Sequence, residues 1–319
     1  MSAGGQVVVS AAARLHLGFL DLNGGLGRRF GSIGLSIDGP RLRLRLRRAR
    51  AGTANGPDSR RARQYLLALR RHFKRNASYA LSIDEAIPAH AGLGSGTCLA
   101  LTVAAAFRRL EGLPADFRGD AEILSRGERS GVGLAVFRKG GFVVDGGRDQ
   151  ATVTPPLVAR LPFPRNWRIL LIQDSAKCGI HGDAERAAFA ALAPHDQASA
   201  DKICRLVLMQ LLPALAEAKI GPFGEAIQAI QGCLGDYFAP AQGGRRFASP
   251  TVAAVLEALA EMGAHGIGQS SWGPTGFAFA ETQAEAERLR KAIHTHPTAS
   301  RLDISIRRGM NGGARIEDD

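Results

Sequence analysis

The amino-acid sequence predicts an α+β protein of two packed domains: an α/β unit built around a glycine-rich loop, then a sheet covered by helices. Three observations lead there. The chain has 319 residues, 45% of them hydrophobic, more than one core usually organises. Strand-like and helix-like stretches alternate around AHAGLGSGTCLALTVAAA at 89–106, where three glycines and two hydroxyls open an apolar helix. Further on, TPPLVARLPFPRN places four prolines between 155 and 164, a composition change of the kind that separates domains. The domains are accordingly set at 1–160 and 161–319.

Residues 6–20 alternate well enough for a strand, and LNGGLGRRFGS then supplies a glycine-rich loop before the apolar run IGLSI. RLRLRLRRAR at 41–50 alternates Arg with Leu, which gives a strand one wet and one buried face. A turn at ANGPDSR leads to a helix at 65–73 and a strand at 79–83. Residues 97–110 are apolar nearly all round, which suits a buried helix ending near Gly112 and Pro114. LAVF and GFVVD, on either side of Lys139, Gly140 and Gly141, read as a strand hairpin. Past the prolines come the strand WRILLIQ and helices near 183–193, 199–219, 222–233 and 250–262. Ser249 and Pro250 form the cap and first turn of the last of these, and Gly263 its stop. HGIGQSSWGPTGFAFAE folds back on a Gly-Pro turn as two strands, followed by a charged helix at 284–293 and the strand RLDISIRR.

Composition narrows the function. No apolar window is long enough for a membrane span, because the longest uncharged stretch, 86–107, is broken by Pro88, His90 and glycines. MSAGGQVVVS lacks a basic segment ahead of an apolar one, so no secretory signal is visible and a soluble, cytoplasmic protein is expected. Cysteines at 98, 178, 204 and 233 fit neither a zinc module nor a disulfide framework and read as free thiols. The net charge of +12, concentrated at 41–50 and 60–75, raises nucleic acid or an anionic small molecule as partner. Without interleaved aromatics or a recognisable module, a nucleic-acid binder is the third reading, behind two enzymatic ones.

The chemistry centres on Gly92, Leu93, Gly94, Ser95, Gly96 and Thr97. Lacking Cβ atoms, the glycines let backbone N–H groups approach an anion, and the following helix adds roughly half a positive charge at its N-terminus. Ser95 and Thr97 can bond a phosphate oxygen or ligate a metal. No G-K-[ST] follows, so this is not a Walker loop, and the dinucleotide register G-x-G-x-x-G is absent. On its own the pattern also fits a turn that is glycine-rich for packing.

The stretch PAHAGLGSG resembles the phosphate loop of the GHMP kinase superfamily. That resemblance implies a GHMP kinase-like fold, with an N-terminal α/β domain carrying the glycine-rich phosphate loop and a C-terminal ferredoxin-like domain. The kinases follow S-G-x with an Asp that serves the phosphoryl acceptor. Here the segment is Ser130, Gly131, Val132, Gly133, and Gly133 can neither take a proton nor orient a hydroxyl. The chain is more closely similar to a non-kinase branch, the β-ribofuranosylaminobenzene 5'-phosphate synthase family. The similarity runs through RLHLGFLDLNGGLGRRFGSIGLSID (14–38), GLGSGTCLAL (92–101), SGVGLAVFRKGGFVVDGG (130–147), GDYFAPAQGGRRFAS (235–249) and GIGQSSWGPTGFAF (266–279).

This resemblance implies transfer of phosphoribosyl from phosphoribosyl pyrophosphate to 4-hydroxybenzoate or 4-aminobenzoate, with release of pyrophosphate and CO2. The product is a C-riboside 5'-phosphate, made in the first step of tetrahydromethanopterin biosynthesis. The loop would hold the departing pyrophosphate with Mg2+, for which Ser95 and Thr97 are the candidate ligands. Asp21, Asp145 and Arg28 are the candidate catalytic residues, for the ribose, the metal or the developing cation. Arg14 and His16 suit the 5'-phosphate or the aryl carboxylate. Gln269, Ser270, Ser271 and Trp272 would line the aromatic site, with Tyr237, Phe238 and Gln242 closing it. Lys177 and His181 lie in a lid-like loop, with Asp174 a lesser acid–base candidate. A homodimer is the expected assembly. The alternative is a small-molecule kinase of the same superfamily using ATP, against which Gly133 argues.

Overall fold

Two long strands organise the first sheet in the computed structural model, which describes residues 5–180 and 182–319. β1 (Gln6–Asp21) and β2 (Phe30–Ala49) pair antiparallel along most of their length. Leu42, Leu44 and Leu46 point inward while Arg41, Arg43 and Arg47 face solvent, so period-two patterning sets which face of β2 meets the core. β3 (Thr53–Asn55) runs parallel to β4 (Ser78–Glu85), with α1 (Ser59–His72) as the crossover between them. α2 (Ser95–Leu110) packs against β1 and β2 and is buried on nearly every side. After α3 (Phe117–Ile123) and α4 (Val132–Lys139), β5 (Phe142–Asp145) pairs with β2, and β6 (Leu157–Leu161) pairs with β5.

One local expectation is corrected here: LAVF lies in helix α4 and not in a hairpin strand. A four-residue apolar run fits either element, and burial decides between them. Val132, Leu134, Ala135, Val136 and Phe137 are all buried, which a helix wedged between α2 and the sheet satisfies on several faces at once.

The second sheet begins with β7 (Arg168–Gln173). α5 (Gly182–Ala191) and α6 (Gln197–Leu206) follow, then a wide helical turn (Val207–Leu211), α7 (Leu212–Ala216), α8 (Ile220–Phe238) and α9 (Pro250–Glu261). The single helix expected at 199–219 is therefore interrupted. Pro213, which has no N–H and crowds the preceding turn, stands two residues after the end of the widened segment. β8 (His265–Gln269), β9 (Gly276–Ala280), α10 (Gln283–Ile293) and β10 (Asp303–Arg307) complete the unit. Its strand order is β10-β7-β9-β8, with every pair antiparallel and helices between β7 and β8 and between β9 and β10, the ferredoxin-like arrangement.

β11 (Arg315–Asp318) then returns to the first sheet and pairs with β1. Between the sheets, Phe163, Trp167, Phe223 and Phe279 stack with ring centroids 5.0–6.2 Å apart, forming one continuous core. α8 also lies against β1. At Gly18 a Cβ would come within 2.8 Å of Leu234 Cδ1, so that glycine sets how closely helix and strand approach. Among the described residues the four cysteines are free, and no helix is long and apolar enough to cross a membrane.

Candidate active site

Residues 89–94 turn sharply into α2. Gly92 and Gly94 adopt φ of +78° and +79°, a region that penalises side chains. A Cβ on Gly92 would lie 2.2 Å from the carbonyl oxygen of Ser270 and one on Gly94 3.1 Å from the Arg14 side chain. α2 has no side-chain cap and no acid in its first turn, so its leading N–H groups and partial positive charge remain available to an anion.

The loop is fixed from behind. The Gly92 carbonyl accepts from Arg14 Nη1 at 2.5 Å and from Ser270 Oγ at 2.7 Å, and Ser270 Oγ accepts from the His16 backbone N–H at 3.0 Å. Ser271 N–H donates to the His16 carbonyl at 3.1 Å, and Gly179 N–H to that of His90 at 2.9 Å. The turn between β8 and β9 is thereby bound to β1 and to the glycine loop.

In front of the loop is an open cleft of about 510 Å3, lined by Arg14, residues 92–97, Ser271 and Trp272 together with Arg61, Arg126 and Glu185. It continues past Thr97 into a region bordered by Glu128, Arg129, Ser130 and Gly133. Burial pushes the Arg14 guanidinium down to about 10, with the Glu185 carboxylate pulling the other way, so Arg14 stays cationic at neutral pH. Glu185 pairs with Arg129 at 2.9 Å.

A narrow slot of about 30 Å3 lies on the other side of Ser271 and Trp272, bordered by His16, Phe19, Phe238, Gln242, Arg246 and Gln269. Trp272 packs on Phe238 at 4.6 Å and on Phe189 of α5 at 5.2 Å. Gln269 Nε2 donates to Gln242 Oε1 at 3.0 Å, while Gln269 Oε1 accepts from Ala248 N–H at 2.7 Å, so both amides are held in fixed orientation. Burial, then the neighbouring Arg14 charge, pushes His16 down to about 3. Its imidazole is neutral at physiological pH.

The structure thus brings together Arg14, residues 92–97, His16, Gln269, Ser271 and Trp272, with Ser270 as the buried connector. Phe238 and Gln242 also border the slot, whereas Tyr237 points its hydroxyl to the Ala193 carbonyl at 3.1 Å. The three candidate catalytic residues line neither cavity. Asp21 Oδ1 closes a turn by accepting from Asn23 N–H at 2.6 Å and Gly24 N–H at 2.9 Å. Arg28 donates to the carbonyls of Gly146 and Gly147 and pairs with Asp149 at 2.9 Å. Asp145 is buried and accepts from the N–H groups of Ser32, Gly131 and Gly147, with Ser130 Oγ at 3.3 Å. Burial raises its carboxyl and those hydrogen bonds oppose the rise. Asp174 likewise accepts from Ala176 N–H and Ser249 Oγ, and Lys177 is exposed away from the cleft lining. His181 lies outside the described residues.

Arg61, Arg126 and Glu185 were not anticipated as site residues. Arg61 did carry a signal: it precedes the buried Tyr65 by four positions, so both occupy one face of α1. Arg126 and Glu185 had none, since they reach the loop from remote segments. Gly133 receives a structural explanation. A Cβ there would lie 2.9 Å from Thr97 Cγ2, so the Thr97 methyl fills the place of any longer side chain.

Comparison with known proteins agrees with this architecture. Residues 60–140 match the GHMP kinases N terminal domain and residues 211–298 the GHMP kinases C terminal domain. The chain is similar over 99% of its length to a homoserine kinase from Cytophaga hutchinsonii (TM-score 0.71, 17% identity, 98% of that chain). It is also similar to mevalonate diphosphate decarboxylase from Staphylococcus aureus (TM-score 0.69, 14% identity, 98% of each chain). At those identities the likeness establishes the fold. Two relatives are much nearer in sequence, both named beta-ribofuranosylphenol 5'-phosphate synthase. The one from Archaeoglobus fulgidus is 32% identical over 85% of this chain and 87% of its own length, and the one from Methanothermobacter thermautotrophicus 30% over 84% and 87%. With its GHMP architecture, its glycine loop and this similarity over most of both lengths, the chain belongs to the beta-ribofuranosylphenol 5'-phosphate synthase family of enzymes.

Proposed function

We propose that the protein joins the 5-phosphoribosyl group of phosphoribosyl pyrophosphate to 4-hydroxybenzoate, releasing pyrophosphate and CO2, at the entry to tetrahydromethanopterin synthesis. One observation carries this reading: the cation-lined cleft and the aromatic slot share the Ser271–Trp272 wall, so an anionic leaving group and an aryl ring can meet across it. The phenol in the names of the relatives favours the 4-hydroxy over the 4-amino acid.

In this mechanism the C1–oxygen bond to pyrophosphate breaks as the ring carbon bearing the carboxylate bonds to C1. The carbon–carboxylate bond then breaks, its electron pair restores aromaticity, and CO2 leaves. The chain's share is to bind, align and exclude water. The α2 N-terminus, Ser95 and Arg14 stabilise the charge that develops on the departing oxygens. Neutral His16 offers the acceptor a hydrogen-bonding edge without adding a charge. The slot has room for only a water or two, so the ring enters when Trp272 and Phe238 part.

Mg2+ belongs to this reading, as does a homodimeric state. The donor set fits a hard cation: the Ser95 and Thr97 hydroxyls lie on a cleft that also carries the Glu185 carboxylate. Mg2+ would be held by these oxygens and would neutralise charge on the pyrophosphate. Incubation with phosphoribosyl pyrophosphate, 4-hydroxybenzoate and Mg2+ tests the proposal, with mass spectrometry for the phenol C-riboside 5'-phosphate. ATP turnover with an alcohol acceptor, and no such product, would favour the kinase alternative.

A further inference from the structure

We propose that Arg61 and Arg126 form an end-stop that binds the terminal phosphate of the donor's diphosphate, fixing the direction in which the donor lies along the glycine loop. The inference rests on the reading above and adds the residues that select a diphosphate ending at that point.

The loop has a direction. Gly92 abuts Ser270 and Gly273, beside the wall of the aromatic slot; Gly94 lies under Arg14; Gly96 lies under Arg126 and Arg61. The Cβ position of Gly96 lies 3.4 Å from Arg126 Nη1 and 3.9 Å from Arg61 Nη1, so both guanidinium groups stand in contact distance of the loop at this residue. Each is held from its far side. Arg61 Nη2 bonds the Asp58 carboxylate, and Arg126 Nη2 bonds the Tyr65 hydroxyl while its guanidinium lies over the Tyr65 ring at 5.4 Å. Both Nη1 groups face the loop and make no hydrogen bond among the described residues. Both Nε atoms are buried and also lack a partner.

Two guanidinium groups converge here, and among the described residues only Asp58 forms an ion pair with them. That arrangement suits a dianionic phosphate, which accepts from several planar donors at once. The reacting carbon has to lie near the slot, so the phosphate next to it falls between Gly92 and Arg14 and the terminal one at Gly96. Tyr65 acts as a positioning residue, orienting Arg126 without reaching the anion.

Calorimetry with inorganic pyrophosphate and, separately, ribose 5-phosphate tests the proposal in the presence of Mg2+. Arg126→Gln and Arg61→Gln are expected to weaken pyrophosphate binding about tenfold or more each. They should leave ribose 5-phosphate binding and the KM for 4-hydroxybenzoate unchanged. Tyr65→Phe should produce a smaller loss of the same pattern, and Arg126→Lys should restore part of the affinity. Arg47→Gln removes an equal charge from the exposed face of β2 and controls for net charge. If the variants weaken ribose 5-phosphate and spare pyrophosphate, or weaken neither while the wild type binds pyrophosphate, the end-stop is refuted and the synthase reading survives. A wild-type protein that binds neither pyrophosphate nor phosphoribosyl pyrophosphate would overturn both.

Discussion

Two regions in which glycines meet charged or hydroxyl side chains look alike in sequence. One is the loop at 92–97, opening α2; the other joins the turn at 21–28 to the segment around Asp145. In the second, the carboxylates of Asp21 and Asp145 are engaged by backbone N–H groups, and Arg28 is engaged by carbonyls and Asp149. In the first, the helix N-terminus is uncapped and the facing Arg61 and Arg126 have donors without partners. The difference teaches that the state of the polar groups, rather than residue type, separates a binding surface from a structural joint. In these two regions the carboxylates with complete hydrogen bonds hold the fold, whereas the guanidinium groups with free donors face an open cleft.

That contrast can be broken by substitution. The largest effect is expected for Gly92→Ala, where a methyl meets the Ser270 carbonyl at 2.2 Å in left-handed backbone. Stability should fall by roughly 3 kcal/mol or more, with activity abolished, as read by thermal melts and turnover. Ser95→Ala should lower kcat/KM by an amount on the order of 3 kcal/mol, about a hundredfold, without shifting Tm. Asp145→Asn should show the opposite pattern. Replacing a carboxylate oxygen that faces backbone N–H groups should cost roughly 2 kcal/mol of stability, while kcat/KM of the folded fraction is kept. Equal catalytic losses in Ser95→Ala and Asp145→Asn would erase the distinction.

The last effect, absent near neutral pH and growing only in acid, is a pH slope. His16 has its pKa lowered to about 3 in the folded chain, below the unfolded value of 6.5, so the unfolded state binds the additional proton. The stabilisation from neutral His16 is complete above about pH 6.5 and declines as pH falls toward 3, by about 1.4 kcal/mol per pH unit. His195, buried and also lowered, acts in the same direction. Denaturant titrations at several pH values should therefore show a shallower acid slope in His16→Gln than in the wild type.

Much of the architecture was legible because it depends on local patterns. The Arg/Leu alternation defined the faces of β2, the apolar run defined α2, and the glycine loop marked the turn that opens it. Other features depended on distant partners. LAVF became helical because α2 and the sheet surround it, and β11 is a strand only because β1 offers an edge. For the site the same division holds. Arg14 and the glycine loop were readable, since their chemistry is visible in their own segment. Arg126 and Glu185 were not, because one comes from the loop after α3 and the other from α5, and only folding unites them at the cleft. Asp21, Arg28 and Asp145 drew attention for their charge, yet sequence cannot show that backbone groups already surround them.

On the proposed function, the cleft releases a pyrophosphate while the ring across the Ser271–Trp272 wall takes the sugar and loses its carboxylate. Labelled CO2 release from carboxyl-labelled 4-hydroxybenzoate measures this directly. Release should require phosphoribosyl pyrophosphate and match the pyrophosphate formed one for one. Pyrophosphate formed with the label retained on the ring would contradict it.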